Sequence, residues 1–342
     1  PHTEFRRPAT MKPGEDGFMV YASGAPLMPP PGDPRQGQGG TFERLREAMT
    51  DEPVPEAWGG YMDAGDWDRR AAHLSCSRLL VELYELHPGY FEALSLNLPE
   101  SGDAMPDLLD EALFNLDLYR RMQQENGGVR GGIESIEHPR FGETSWQESL
   151  PVFAFAPDPW SSFEYAATAA QAARVLRAVD PDLAATYLNS AERAMRWAEA
   201  AVSDPKWEPG KHPMRDARNL AAVELYRATG DDGWHGVFLG TTAFTDPAAP
   251  VWAWQRHHQR DAAFTYATMT EHPADEGVRG HARAALIREA DERAAMTRQT
   301  GFGWTNDPWG WCGWGQQSTP DAVGILRAHR LTGDDRYLAA AV

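Results

Sequence analysis

The sequence has little cysteine. Its 342 residues include two, Cys76 and Cys312, which stand far apart and belong to no CxxC or Cys/His cluster. Their spacing therefore predicts neither a disulfide framework nor a zinc site. We expect each to be a small buried apolar residue, and a disulfide between them across the fold is the alternative.

Long apolar runs are absent and positive charge is scarce. No stretch of about 18 apolar residues could span a bilayer, and 50 acidic residues against 32 basic ones give a formal net charge of −18. This surplus repels phosphate backbones and anionic lipid surfaces. We therefore expect neither nucleic acid nor a membrane as a partner. A hydrophobic content of 42% is ample for a globular core.

The first forty residues are rich in proline and glycine, as in PPPGDPRQGQGG, and show no sustained hydrophobic period. They are predicted to form an extended loop without a core. Farther along, apolar residues recur at spacings of three and four, which predicts an all-α or nearly all-α body. The predicted helices are 67–86, 106–124, 161–178, 182–202, 215–229, 260–271, 275–298, 319–331 and 334 onward.

Residues at the ends of these segments suit helix boundaries. Asp66 and Pro106 are suited to helix starts, and His87-Pro88-Gly89 to a stop. The segments ELYRATGDDGW (224–234) and ILRAHRLTGDDRY (325–337) each predict a helix closed by glycine, followed by an aspartate that begins the next helix. The long connections are the expected place for function, namely 127–160, 203–212, 236–256 and 299–318.

One motif, GGYMDAGDWDRR (59–70), places two carboxylates in a glycine-rich turn. Gly65 permits a positive φ between Asp63 and Asp66, so the two side chains can converge. A helix beginning at Asp66 would stabilise its carboxylate as an anion, as a general base requires. The alternative is that Asp66 only caps a helix and Asp63 only closes a turn.

The motif resembles the Gly-Gly-aromatic-x-Asp-Ala-Gly-Asp element of glycoside hydrolase family 9, and three further segments resemble that family in the same order. They are AMPDLLDEALFNLDLYRRMQ (104–123), FEYAATAAQAARVL (163–176) and RNLAAVELYRATGD (218–231). The resemblance implies an (α/α)6 toroid, an inverting mechanism with Asp66 as base, and an Asp63 that helps to hold the attacking water. It also implies that Tyr61 binds substrate.

Inversion needs a second carboxyl group, about 6.5–9.5 Å from the first, as the acid. In the family that acid is a glutamate on a later segment, which we expect beyond Val342, and we assign no substitute within the chain. Because the first residue is Pro1 rather than Met and Val342 falls within a helical pattern, the sequence is expected to be cut at both ends. Its loop-rich portion (1–58) and its helical body (59–342) would both belong to one catalytic domain, incomplete at its C-terminus.

Two further segments resemble substrate-binding elements of the family. IESIEHPRFGETSW (133–146) implies that His138 and Trp146 contact sugar, the alternative being a surface histidine and a core tryptophan. GFGWTNDPWGWCGWGQQSTP (301–320) carries four tryptophans in a loop. Trp314 is the main candidate there for sugar stacking, with Trp304 and Trp309 as weaker ones; a structural role for about half of the four is the alternative.

The segment HHQR (257–260) is predicted to be a solvated helix start rather than the His-His-Arg element of the family. No cofactor is expected, since WSSFEYAAT offers only Glu164 near the position of the family's calcium loop and calcium takes about 6–8 oxygen ligands. The predicted function is endo-hydrolysis of β-1,4-glucan. The protein is predicted to be secreted or periplasmic. The alternatives are an exo-acting β-glycosidase or glucosaminidase and a noncatalytic glycan-binding toroid.

Overall fold

The computed structural model describes residues 19–35, 37–62, 69–143, 149–299, 303, 305 and 322–342, without the side chains of 37–39. This part of the chain is mainly helical. Its helices are α1 (Gly37–Glu47), α2 (Leu74–Leu86), α3 (Pro88–Phe91), α4 (Asp107–Arg121), α5 (Pro159–Leu176), α6 (Pro181–Ala201), α7 (Met214–Thr229), α8 (Asp232–Thr241), α9 (Arg260–Thr268), α10 (Glu276–Met296), α11 (Val323–Thr332) and α12 (Asp335–Ala341).

Most of the predicted helices are confirmed with ends close to those expected. Aspartates cap several of them, as Asp180 does for α6, where its side chain accepts hydrogen bonds from the backbone N–H groups of Asp182 and Leu183. The two helix–glycine–aspartate junctions are also confirmed. Gly230 and Gly333 have positive φ, and Asp231 and Asp334 cap α8 and α12.

The prediction for 67–86 is wrong at its start. Arg69–Arg70 form a strand, a short 3₁₀ turn covers Ala71–His73, and α2 begins at Leu74. Asp66 therefore does not stand at the N-terminus of this helix. The error has a physical reason, because a strand of two residues is too short to show a period and Ala71 and Ala72 fit the helical period of the residues that follow. The sequence analysis also missed α1, and for α8 it predicted the start after Gly230 but not the extent, because glycines in both helices mask helical periodicity.

Strands between Val20 and Ala156 form a five-stranded sheet that the sequence analysis did not predict. Its strands are β1 (Val20–Pro26), β2 (Met49–Pro53), β3 (Arg69–Arg70), β4 (Gly132–Ser135) and β5 (Val152–Ala156), in the order β2-β1-β5-β4-β3. Strand β1 runs parallel to β5 and antiparallel to β2. A second, two-stranded sheet pairs β6 (Trp252–Ala253) with β7 (His257–His258).

Strand β1 corrects the expectation that the first forty residues form no core. Its Ala25 belongs to a buried cluster with Leu45 of α1 and with Phe153 and Phe155 of β5. Proline and glycine on both sides obscured this short strand, whose small residues carry a weak period-two pattern. The N-terminal region therefore supplies part of the hydrophobic core.

Contacts group the chain into two compact units. The first comprises residues 1–210 and 224–229, and the second comprises 211–223 and 230–342. In the first, α5 is buried along most of its length against α6, and the buried Glu224 lies 3.6 Å from Arg78 and 3.4 Å from Arg174. In the second, the last helices enclose a core of Ala290, Ala294, Ile325, Ala328 and Tyr337. The boundary proposed at residue 58 stays a prediction.

Cys76 is exposed, which corrects the expectation that it is buried. It lies on the outer face of α2, one position away from the buried Ser77. Cys312 lies outside the described residues.

No described helix is long and apolar enough to cross a membrane.

Candidate active site

The entry to the GGYMDAGDWDRR motif is built on two glycines. Gly59 and Gly60 have φ values of +78° and +81°, and a Cβ on Gly60 would lie 2.5 Å from Leu118 Cδ2. Both positions therefore favour glycine. The adjoining backbone is held by Arg121, whose Nη2 donates to the Trp58 carbonyl at 2.6 Å and whose guanidinium lies 3.8 Å from the indole centroid of Trp58. The glycines thus bring the chain against α4.

Tyr61 is anchored at both its backbone and its side chain. Its N–H donates to Asn115 Oδ1 at 3.0 Å, and its hydroxyl donates to the Glu111 carbonyl at 2.5 Å. Burial and the nearby Glu111 raise the pKa of the phenol well above its ordinary value, so it stays protonated. A role for Tyr61 in substrate binding stays a prediction.

Asp63 and Asp66 lie outside the described residues, but both flanks of their segment are described. Met62 precedes it, and Arg69, which follows it, is fully buried. Arg69 Nη2 lies 3.9 Å from Met62 Sδ. The Arg69 carbonyl accepts a hydrogen bond from Tyr119 at 3.0 Å. The two flanks therefore lie close together.

The second predicted segment, 133–146, begins beside the first. Strand β3 pairs with β4, with Arg69 opposite Ile133 and Arg70 opposite Gly132. Gly132 has a φ of +121°, and a Cβ there would lie 1.8 Å from the Arg69 carbonyl oxygen. Arg70 donates from Nε to Glu134 Oε2 at 2.9 Å, and Glu134 is 2% exposed. The structure thus joins two motifs that are more than sixty residues apart in sequence.

Beyond β4, His138 is exposed, and its ring packs edge-on against Phe42 of α1, with 4.9 Å between ring centroids. Its imidazole is therefore accessible while Phe42 limits its orientation. Trp146, the partner expected for it, lies outside the described residues, as do Trp304, Trp309 and Trp314. Their predicted contacts with sugar stay predictions.

In the second unit, the strand pair β6–β7 presents two tryptophans that the sequence analysis did not nominate. Trp252 is 49% exposed and Trp254 is 72% exposed. They belong to the connection 236–256, where function was expected in general terms. Their presence in a long connection was the available signal.

The HHQR segment is not simply a solvated helix start, because His257 and His258 form β7 and α9 begins only at Arg260. His257 is 9% exposed and bonds through Nε2 to the Pro250 carbonyl at 2.7 Å. Asp216 accepts from the His258 N–H at 2.6 Å and from Gln259 Nε2 at 2.9 Å. Periodicity could not indicate these long-range partners.

Within the described residues, no group of three or more His, Cys, Asp or Glu side chains is placed to hold a metal ion. Hydrogen bonds with α4 hold Tyr61 and Arg69, on either side of the segment that carries Asp63 and Asp66. A carboxylate is a suitable general base for the activation of a bound water.

Comparison with known proteins identifies the family of the chain. The model of glycosyl hydrolase family 9 matches residues 35–341. Endoglucanase C of Cellulomonas fimi is 29% identical over 322 residues, covering 83% of this chain and 28% of that protein. A xyloglucan-specific endo-β-1,4-glucanase of Bacteroides ovatus is 26% identical over 333 residues, covering 82% and 52%. The chain therefore spans about half, or less, of these relatives.

Solved structures of glycoside hydrolase family 9 have a similar fold. A metagenome-derived glycoside hydrolase family 9 endoglucanase has a TM-score of 0.73 and 26% identity to this chain, covering 95% of this chain and 58% of its own. The (α/α)6 fold class inferred from the sequence is thereby confirmed. Since the family model matches nearly the whole chain, the chain belongs to glycosyl hydrolase family 9.

Proposed function

We propose that the protein hydrolyses β-1,4-glucan with inversion at the anomeric carbon, cutting within the polymer, and that Asp66 is its general base. The observation that carries the proposal is the family match over residues 35–341, which includes the GGYMDAGDWDRR motif. The described flanks of that motif support it, since Asn115, Tyr119 and Arg121 hold them in place.

In the proposed reaction, Asp66 takes a proton from a water molecule while the water oxygen bonds to the anomeric carbon. Asp63 holds that water by accepting its second proton in a hydrogen bond. The glycosidic bond breaks on the opposite face of the sugar, and a protonated carboxyl group gives its proton to the leaving oxygen. We assign no described residue to that acid.

The proposed substrate is an uncharged β-linked glucan. An acidic protein with a net charge of −18 does not attract polyanions, and the two relatives described above are named as an endoglucanase and an endo-β-1,4-glucanase. The proposed sugar contacts are Tyr61, His138, Trp146, Trp304, Trp309 and Trp314. Because polymeric glucan occurs outside the cytoplasm, we also propose that the protein is secreted or periplasmic.

The experiment measures the activity of this chain and of the full-length protein on soluble β-1,4-glucan, xyloglucan and chitosan oligomers. Reducing ends and viscosity are recorded together. Endo-cleavage predicts a rapid fall in viscosity while few reducing ends form. Release of monomer or dimer without a fall in viscosity would replace the proposal by exo-action, and binding without any new reducing ends would indicate a noncatalytic module.

A further inference from the structure

One side of α4 contacts the motif at both of its flanks. Glu111, Asn115 and Tyr119 are four residues apart, so they lie one above another on the helix. The Glu111 carbonyl accepts the Tyr61 hydroxyl, and the Tyr119 hydroxyl donates to the Arg69 carbonyl. A single helix face thus holds residues that precede and follow Asp63 and Asp66.

Asn115 is the central contact of this face. Its Oδ1 accepts the Tyr61 N–H at 3.0 Å, while its Nδ2 donates to the His73 carbonyl at 3.1 Å and to Ser77 Oγ at 3.0 Å. The side chain is 0% exposed. One amide therefore bonds to the backbone on both sides of the carboxylate segment, at positions 61 and 73.

An asparagine within a helix needs a compensating role. Asparagine is a poor helix former, and burial of its amide is costly unless the donors and the acceptor find partners. An apolar residue at this position would pack in α4 with neither cost. The asparagine is therefore explained by its hydrogen bonds to Tyr61 and His73 rather than by the stability of α4.

We propose that Asn115 is a positioning residue, which sets the separation of the two ends of the segment that carries the catalytic carboxylates. The inference rests on the proposed role of Asp66 as base. Misplacement of a reacting group by about 1 Å can reduce the rate about 100-fold. Loss of the bridge should therefore lower kcat more than it changes KM, because the Tyr61 side chain keeps its own hydrogen bond to the Glu111 carbonyl.

The test uses the active full-length protein and compares Asn115→Leu with Ser77→Ala. Ser77→Ala removes one hydrogen bond from the same buried amide but leaves its bonds to Tyr61 and His73, so it controls for stability. We expect kcat to fall about 30-fold or more in Asn115→Leu, with KM within about twofold. Ser77→Ala should keep kcat within about threefold of the wild type. Thermal melting verifies that each variant is folded at the assay temperature.

Asn115→Asp provides a second test should Asn115→Leu fail to fold. A protonated aspartic acid can donate to the His73 carbonyl, whereas an ionised one repels it. The ratio of its kcat to that of the wild type should therefore rise as pH falls. A ratio independent of pH, or an Asn115→Leu kcat within threefold of the wild type, would overturn the inference.

The same experiment separates this inference from the proposed function. Asp66→Asn is measured in parallel. If Asp66→Asn retains turnover, the proposed function fails. If Asp66→Asn abolishes turnover while the Asn115 variants keep theirs, the proposed function stands and only the positioning role is wrong.

Discussion

Arg70 and Glu134 meet across strands β3 and β4, with 2.9 Å between Arg70 Nε and Glu134 Oε2. This pair joins the carboxylate motif to the segment that leads to His138. The Glu134 side chain is 2% exposed and that of Arg70 is 23% exposed, so the carboxylate depends on protein groups for its compensation.

Replacing Arg70 by methionine should therefore destabilise the first unit. Removal of one partner of a buried pair leaves a charge that water cannot reach, at a cost of about 3 kcal/mol where one partner stays partly exposed. The free energy of unfolding in urea measures this cost. The double variant Arg70→Met/Glu134→Gln should be less destabilised than Arg70→Met alone; strict additivity would contradict the coupling.

The two glycine junctions offer a matched comparison. Gly230 and Gly333 have nearly equal φ values, +73° and +71°, but a Cβ on Gly230 would lie 2.8 Å from His272 Cε1 and a Cβ on Gly333 would meet nothing within 4 Å. Gly333→Ala should cost about 1 kcal/mol, from the left-handed backbone alone. Gly230→Ala should cost more, because His272 must also move. Equal losses of unfolding free energy would show that the contact has no weight.

These junctions also show how much local sequence predicts. A glycine at a helix end and a following aspartate act through their immediate neighbours, so ATGDDG and LTGDDR could be interpreted without a structure. Most of the helices predicted from the apolar period were confirmed, because a spacing of three and four is also a local signal. The short strands could not be separated in this way, because a run such as VFAFA in β5 is compatible with either structure.

The candidate site was predictable in part. The motif indicates where the carboxylates stand in the sequence, but the groups that hold its flanks are remote. Asn115 contacts residues that are 54 and 42 positions away, and a buried asparagine within a helical pattern has no local signal. Asp66 was also placed at a helix start, which was wrong because a strand and a turn intervene before α2.

The free energy of unfolding should depend on pH because of Asp110. Burial, together with the carboxylates of Asp103, Glu100 and Asp107, raises its pKa to about 7. Its Oδ2 is buried and has no hydrogen-bond partner among the described residues. Between about pH 4 and pH 7 the folded state retains a proton that the unfolded state has released, so stability falls as pH rises through this interval.

Asp110→Asn should remove that decline and should be more stable than the wild type at pH 8. Thermal melting at pH 5 and at pH 8 measures the difference. Glu92→Gln, on the neighbouring α3–α4 connection, serves as a control for the loss of one negative charge. The same pH dependence in Asp110→Asn and in the wild type would show that Asp110 is not responsible.

Trp314 tests the proposed sugar platform. Trp314→Ala, made together with Asp66→Asn to prevent turnover, should weaken oligosaccharide binding by about 1–3 kcal/mol, or roughly 5- to 150-fold in Kd. Calorimetry with cellohexaose measures the affinity. Trp207→Ala is the control, because Trp207 is a partly exposed tryptophan beside Lys206 in the first unit. A loss of folding in Trp314→Ala would instead identify a core residue.

Turnover of Asp66→Asn on soluble β-1,4-glucan, measured in the full-length protein beside the wild type, tests the central claim most directly. The substitution removes the base and preserves the shape of the side chain, so kcat should fall about 10²- to 10⁴-fold while glucan affinity stays nearly constant. Turnover near that of the wild type would contradict the assignment of Asp66 as the general base.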